Sequence, residues 1–427
     1  MDEEREYKRR AWAWALYDVA NSSFFLVIVT AVFPIFYVSV YAQAHGGGDG
    51  TLKTKGGAAL AFTATIAMAV VAVLGPLLGA VADRSACKKR FLAGFAGLGV
   101  LSTASMAFIG PTDWILASVL YALGTVGVAG SMVFYDALLP AVARPADLDR
   151  VSTFGFAAGY LGSVVLFGLN IVMLRKPDWF GLDPYWAVRV VFLTVALWWA
   201  CFTIPVLRRV PEPPCDGDGR FSILSGFRQL ASTFRKVLGY RELLLFLLAF
   251  WIYSDGIGTI IKLATPFGKA LQVPEESLLL AIVMSNLIGV PCALVFGRVA
   301  RAIGAKRAIL IGIGVYAGIC VFARYMSETW HFFVLAGAVG LVQGGTQALS
   351  RSLFATLVPR GQSGEFFGFF STMEKFAGLI GPLILALYWK DGDDPRRGVS
   401  ALVVFFVVGA LLLWKVDVRK GQEAAQA

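Results

Sequence analysis

The chain has 427 residues, 57% of them apolar and only 15% Asp, Glu, Lys or Arg, against about 25% charged residues in an ordinary soluble domain. That composition excludes a soluble two-domain enzyme, a disordered chain, a collagen and a disulfide-stapled secreted fold. The net charge of +10 comes from short basic clusters between long apolar runs, which is a pattern of membrane topology and not of nucleic-acid binding.

A membrane-spanning helix needs about 20 mostly apolar residues. In chain order the apolar runs predict twelve spans, at 11–42, 56–83, 89–110, 113–143, 150–174, 186–208, 242–268, 275–303, 306–326, 330–358, 364–389 and 398–416. The first is too long for a cleavable signal peptide and lacks a small-residue cleavage site. With the N-terminus inside, 25 of the 38 Lys and Arg residues fall on the cytoplasmic side and 10 outside. Lys262, Arg351 and Lys375 lie within spans. This bias predicts that both termini are cytoplasmic.

Between the sixth and seventh spans Pro211, Pro213 and Pro214 end the helix. Leu224, Phe227, Leu230, Phe234 and Leu238 then recur at helical spacing. They predict either an amphipathic helix on the inner leaflet or a partly ordered tether. The expected organisation is a six-helix bundle over 1–208, a cytoplasmic linker over 209–241 and a second six-helix bundle over 242–427. None of the five cysteines falls in an outer loop, so no disulfide is expected. There is no His–Glu metal motif, Ser/His/Asp set, Cys/His ligand set or phosphate loop. No metal, no cofactor and no enzymatic activity are therefore expected.

The two halves repeat each other. Gly79 to Arg84, followed by Lys88 and Lys89, aligns with Gly297 to Arg301, followed by Lys306 and Arg307. Gly159 and Gly162 in the fifth span align with Gly378 and Gly381 in the eleventh, and Tyr17-Asp18 with Tyr253 and Asp255. Two six-helix repeats suggest bundles that rock about a central site. Gly75 and Gly79 lie one turn apart, so a neighbouring helix can approach closely. Asp83 can then meet the positive N-terminus of that neighbour. The basic residues after it are expected to anchor the loop at anionic headgroups.

On these residues the chain resembles a known family. Gly79 to Arg90 looks like the loop motif of the major facilitator superfamily, and Gly297 to Arg307 like its second copy. The second copy often keeps an acid where this chain has Arg301. Ala15 to Ser23 with Thr30 to Pro34 looks like the first-helix signature of the vacuole-effluxer-like branch, which contains a fungal vacuolar amino-acid effluxer. Asp255-Gly256, Gly344 to Ser352, Phe366 to Phe369, Lys375-Phe376 and Gly381-Pro382 fit the same branch. The branch commonly has Trp and Asn where this chain has Val19 and Ser254. The resemblance implies an all-α polytopic membrane protein of the major facilitator fold, a secondary transporter working by alternating access. Its first, fourth, seventh and tenth helices would line the cavity.

Ionisable groups at bilayer depth are costly and usually face an interior. Asp18, Asp136, Asp255 and Arg351 fall one on each of those four helices. Asp255 is the first candidate for substrate or proton binding, with Lys262, Gln343, Gln347, Asn21, Tyr17, Tyr253, Glu374 and Lys375 as further candidates. Glu374 and Lys375 are adjacent and point in different directions. For gating the candidates are Gly79, Asp83, Arg84 and Lys88, together with Arg351 paired to Asp18 or Asp136. The expected substrate is a small polar or zwitterionic solute such as a neutral amino acid, with Asp255 as its anionic and Lys262 as its cationic partner. An exporter or flippase of amphipathic molecules and a non-transporting sensor or scaffold are the rival readings. The expected partners are that small molecule and the lipid bilayer, with no nucleic acid. The protein is expected as a monomer in a bacterial inner (plasma) membrane.

Overall fold

The computed structural model describes residues 2–47, 50–85, 87–213, 235, 237–359, 361–377, 380–381 and 395–426. The amphipathic linker helix expected over 224–238 lies almost wholly outside these residues. Among the described residues all regular structure is helical. Eleven helices among the described residues are long and apolar enough to cross a membrane, from Asp2–Ala31 to Arg396–Lys415. Each overlaps one of the expected spans. The remaining one, expected at 364–389, is described as the helix Ser363–Phe376 and at residues 380 and 381. The second of the eleven, Lys55–Asp83, has 29 residues. At 1.5 Å per residue it runs about 43 Å, more than the ~30 Å hydrocarbon core.

The first span departs from the single helix that its apolar run suggests. It is α-helical over Asp2–Ser23, π-helical over Phe24–Ala31 and α-helical again over Phe33–Ala44. Pro34 is the cause that the sequence supplies. It has no N–H for the carbonyl one turn earlier, and its ring crowds that turn. Within the widened stretch the Thr30 hydroxyl donates to the Phe25 carbonyl at 2.9 Å.

The two halves meet through small residues. The second span packs along the eleventh and the fifth along the eighth, with the fifth also touching the tenth. A Cβ on Gly79 would run into the backbone carbonyl of Gly364, and one on Gly368 would lie 2.5 Å from Cα of Pro76. Gly297 is pressed against the Thr153 side chain. Glycine at these crossings lets backbones approach where lipid gives no hydrophobic drive to associate.

The tightest of these crossings lie at the end of the bundle that carries both chain termini. There Glu4 pairs with Arg144 at 3.2 Å, and Glu242 Oε2 accepts from the Asp417 amide at 2.6 Å.

Candidate functional site

Arg351, in the tenth span, is 3% exposed and reaches into the first half of the chain. Its Nη1 donates to Asp136 Oδ1 at 3.0 Å. Its Nη2 donates to Asp18 Oδ2 at 3.3 Å and to the Ser152 carbonyl at 3.1 Å, and its Nε to Ser152 Oγ at 3.0 Å. The guanidinium carbon lies 4.7 Å from the rings of both Trp14 and Phe156, a cation–π arrangement in a site without bulk water. The first, fourth, fifth and tenth spans thus converge on one guanidinium.

The acids are held from behind. Tyr135 Oη donates to Asp18 Oδ2 at 2.7 Å. Trp14 Nε1 donates to the Tyr135 carbonyl at 3.0 Å, and the two rings stack at 4.3 Å. Asn21 Nδ2 donates to the Tyr17 carbonyl at 3.0 Å and to Asp18 Oδ1 at 3.4 Å. Gly155 leaves the room: a Cβ there would strike the Asp18 carboxylate and lie 3.3 Å from Arg351 Nη2. Ser152 Oγ donates to the Ala348 carbonyl at 2.7 Å, and Ser352 Oγ to Asp149 Oδ1 at 2.5 Å, so the tenth span is tied to the fifth on either side of the arginine.

A second polar contact joins the halves at the same end. Asp83 Oδ1 accepts the Gly364 amide at 2.9 Å and Oδ2 accepts the Glu365 amide at 2.7 Å. These are orphan N–H groups at the positive end of the helix Ser363–Phe376. Lys88 Nζ lies 2.7 Å from Asp83 Oδ1 and donates to Ser363 Oγ at 2.9 Å. Lys88 is 4% exposed. The expectation that the basic residues after Asp83 anchor at headgroups therefore fails for Lys88. The Asp83 carboxylate, at the end of the preceding helix, compensates its ammonium, so it is buried instead of reaching for lipid. The side chain of Arg84 lies outside the described residues.

The second copy of the motif does different work. Lys306, the counterpart of Lys88, donates to the carbonyls of Trp414 and Val416 at 2.7 and 2.8 Å, closing the C-terminal end of the last span. Arg301, in the place of Asp83, is exposed.

Deeper in the bundle Asp255 is 1% exposed. Its Oδ2 accepts the Gly381 amide at 2.8 Å, and Thr259 Oγ1 donates to its carbonyl at 2.6 Å. Gly381 sits so close that a Cβ would strike the Thr259 hydroxyl. Tyr253 Oη and Ser350 Oγ share a hydrogen bond of 2.6 Å. Gln343 and Gln347 are half-buried, whereas Lys262 and Glu374 are exposed on their helices. The side chain of Lys375 lies outside the described residues. Tyr17 is fully buried, and its hydroxyl has no hydrogen-bond partner among the described residues.

The structure thus brings together Asp18, Asn21, Asp136 and Arg351 in one network and Gly79, Asp83 and Lys88 in another. Asp255 stands apart on the Gly381 amide. Sequence reasoning missed Trp14, Tyr135, Ser152 and Gly364. Trp14 lies one turn before Asp18 and Tyr135 directly precedes Asp136, so an aromatic beside each intramembrane acid was the available signal.

The two networks together have the geometry of a latch: buried charge pairs and capped backbone amides that join the two halves of the chain at one end.

Residues 6–426 match the family described as Vacuole effluxer Atg22 like. The MFS-type transporter YxiO of Bacillus subtilis is 35% identical over 424 residues, covering 99% of this chain and 98% of its own. The autophagy-related protein 22-1 of Phaeosphaeria nodorum is 25% identical, covering 89% and 79%. Among solved structures, the human organic anion transporter MFSD10 superposes with a TM-score of 0.74 at 12% identity, covering 95% of this chain and 99% of its own. The proton:xylose symporter XylE does so at 0.73 and 14%, covering 96% of each. These last two likenesses carry the fold alone.

Proposed function

Because the chain belongs to the Atg22-like vacuole effluxer family, and so is a membrane-embedded secondary transporter of the major facilitator fold and not an enzyme, we propose that it carries a small polar or zwitterionic solute. A neutral amino acid is the first choice, coupled to protons. The movement is alternating access, with bundles 1–208 and 242–427 rocking about the cavity between them.

One observation carries the rocking movement. Arg351 of the second half is paired simultaneously with Asp18 and Asp136 of the first, and these bonds exist only while that end is shut. The surplus of Lys and Arg near both termini argues that this end is cytoplasmic. The conformation is then one that opens outward. The relative in Bacillus subtilis supports a bacterial inner membrane as the location, and the resemblance to a vacuolar amino-acid effluxer supports the substrate class. Asp255 is the residue assigned to proton coupling, since it is a buried carboxylate on the seventh span, away from the latch.

Counterflow in proteoliposomes tests this. Vesicles preloaded with a neutral amino acid should take up the labelled compound, and an imposed proton gradient should drive its accumulation. Absence of counterflow across the neutral amino acids sinks the substrate class. Accumulation that ignores the proton gradient sinks the coupling.

A further inference from the structure

At the end of the bundle bearing both termini, a cavity of about 320 Å³ opens beside the latch. The first half lines it with Lys8, Trp12 and Arg150, and the second with Leu294, Arg298 and Arg301. Glu4 and Asp147 are also at its wall, but both are engaged. Glu4 pairs with Lys8 at 3.7 Å and Arg144 at 3.2 Å, and Asp147 accepts from Tyr7 Oη at 2.9 Å. Arg150, Arg298 and Arg301 pair with no carboxylate among the described residues.

Three guanidinium groups with no ion-pair partner among the described residues therefore converge on one cavity from two halves of the protein, and with Lys8 they set four cations against two carboxylates at its wall. Its floor is the close crossing of Gly297 on Thr153. Next to the charges lies apolar surface: Trp12 is 57% exposed and Val295 48%, and Trp12 packs edge-on against Phe154 at 4.6 Å.

We propose that this cavity binds the phosphate headgroup of an anionic phospholipid. Arg150 holds it from the fifth span, Arg298 and Arg301 from the eighth, and its acyl chains lie along Trp12, Leu294 and Val295. Guanidinium forks match phosphate oxygens geometrically, and a basic pocket between membrane helices at the headgroup level is a recurrent lipid site. Apolar surface continuous with the pocket selects a lipid over a free phosphate. Arg301 is central to this: the repeat puts it where the first half has Asp83, and an acid there would repel the headgroup. Because the cations come from both halves, the bound lipid favours the state in which this end is closed. The site stands whether or not the transport assignment does.

The test uses the full-length protein in nanodiscs of phosphatidylcholine with and without phosphatidylglycerol, read by the thermal unfolding midpoint, since a ligand of the folded state raises it. Phosphatidylglycerol should raise the wild-type midpoint. The double variant Arg298→Gln/Arg301→Gln and the single variant Arg150→Gln should each lose at least half of that rise. Arg208→Gln/Arg209→Gln, which removes two charges at the same membrane face outside the cavity, should keep it. Glycerol phosphate added to the detergent-solubilised protein separates a lipid from a free anion. The proposal is overturned if the cavity variants keep the full rise, if the control pair loses as much as they do, or if free glycerol phosphate reproduces the rise without lipid.

Discussion

Asp83 and Lys88 face each other at 2.7 Å with side chains only 7% and 4% exposed, and the pair docks as a unit on the first turn of the helix Ser363–Phe376. Both charges come from the first half, whereas the amides that Asp83 caps and the Ser363 hydroxyl that accepts from Lys88 belong to the second. Asp83→Asn leaves Lys88 buried without its counter-charge, and breaking one side of a buried pair costs about 3–5 kcal/mol. We expect the closed end to open in this variant. Spin-label distances between the second and eleventh spans should lengthen, and raising the salt should change the wild-type distances little, because buried pairs are weakly screened. Unchanged distances would show that the pair is incidental to closure.

Arg351 offers a sharper energetic contrast. Arg351→Met strands the carboxylates of Asp18 and Asp136 in the protein interior, at a cost of the same few kcal/mol. The triple variant Arg351→Met/Asp18→Asn/Asp136→Asn removes the stranded charges. Its thermal midpoint in detergent should recover most of what the single variant loses. If the triple variant is as unstable as the single, the network's contribution is packing rather than charge.

At the crossing of the second and eleventh spans, Gly79→Ala places a methyl group against the Gly364 carbonyl. Backbone cannot swing aside as a flexible side chain can, so the halves should fail to close there. Gly57→Ala on the same helix meets nothing within 4 Å and should be neutral or mildly stabilising. Cysteine accessibility at the terminus-bearing end should rise in the first variant only. A Gly79→Ala protein that stays as inaccessible as wild type would contradict the crossing.

For Asp255 the amide contact separates charge from shape. An Asn carbonyl oxygen can still accept the Gly381 N–H, whereas Ala leaves that buried donor unmet at about 1–3 kcal/mol. Asp255→Asn should fold normally and keep counterflow while losing gradient-driven accumulation; Asp255→Ala should be less stable as well. Full accumulation in a folded Asp255→Asn protein assigns the residue to structure alone.

The orientation has its own test. Single-cysteine probes labelled from outside the cell should react at position 393 and not at position 220. The reverse pattern inverts the topology and puts the latch at the outer face.

The spans were legible because the requirement to satisfy every backbone group within lipid leaves a long apolar run few alternatives to a helix. A pairing of Arg351 with Asp18 or Asp136 was legible from shared depth on helices of opposite halves; that it engages both at once was not. What surrounds that pairing was not. Trp14, Tyr135 and Ser152 are ordinary residues in an apolar run, and only the crossing of the first, fourth and fifth spans gives them a charge to hold. Lys88 misled for a related reason. A lysine after a span reads as a headgroup anchor, and nothing in its local sequence tells that Asp83 and Ser363 will bury it. The π-helical stretch at Phe24–Ala31 was hidden in its own composition, which is that of any apolar helix; only Pro34 beyond it signals a departure.

That stretch changes how the first span presents its side chains. Hydrogen bonds from i to i+5 take up more residues in each turn than α-helical bonds do, and each added residue is about 100° of helical phase. The segment Asp2–Ser23, which carries Asp18, and the segment Phe33–Ala44 therefore obey separate helical wheels. A stripe of cavity-facing positions traced upward from Asp18 does not continue onto the far half of the same span. A return of one π turn to α geometry would swing that far half about its own axis, altering which residues line the opposite mouth while the latch itself stayed shut.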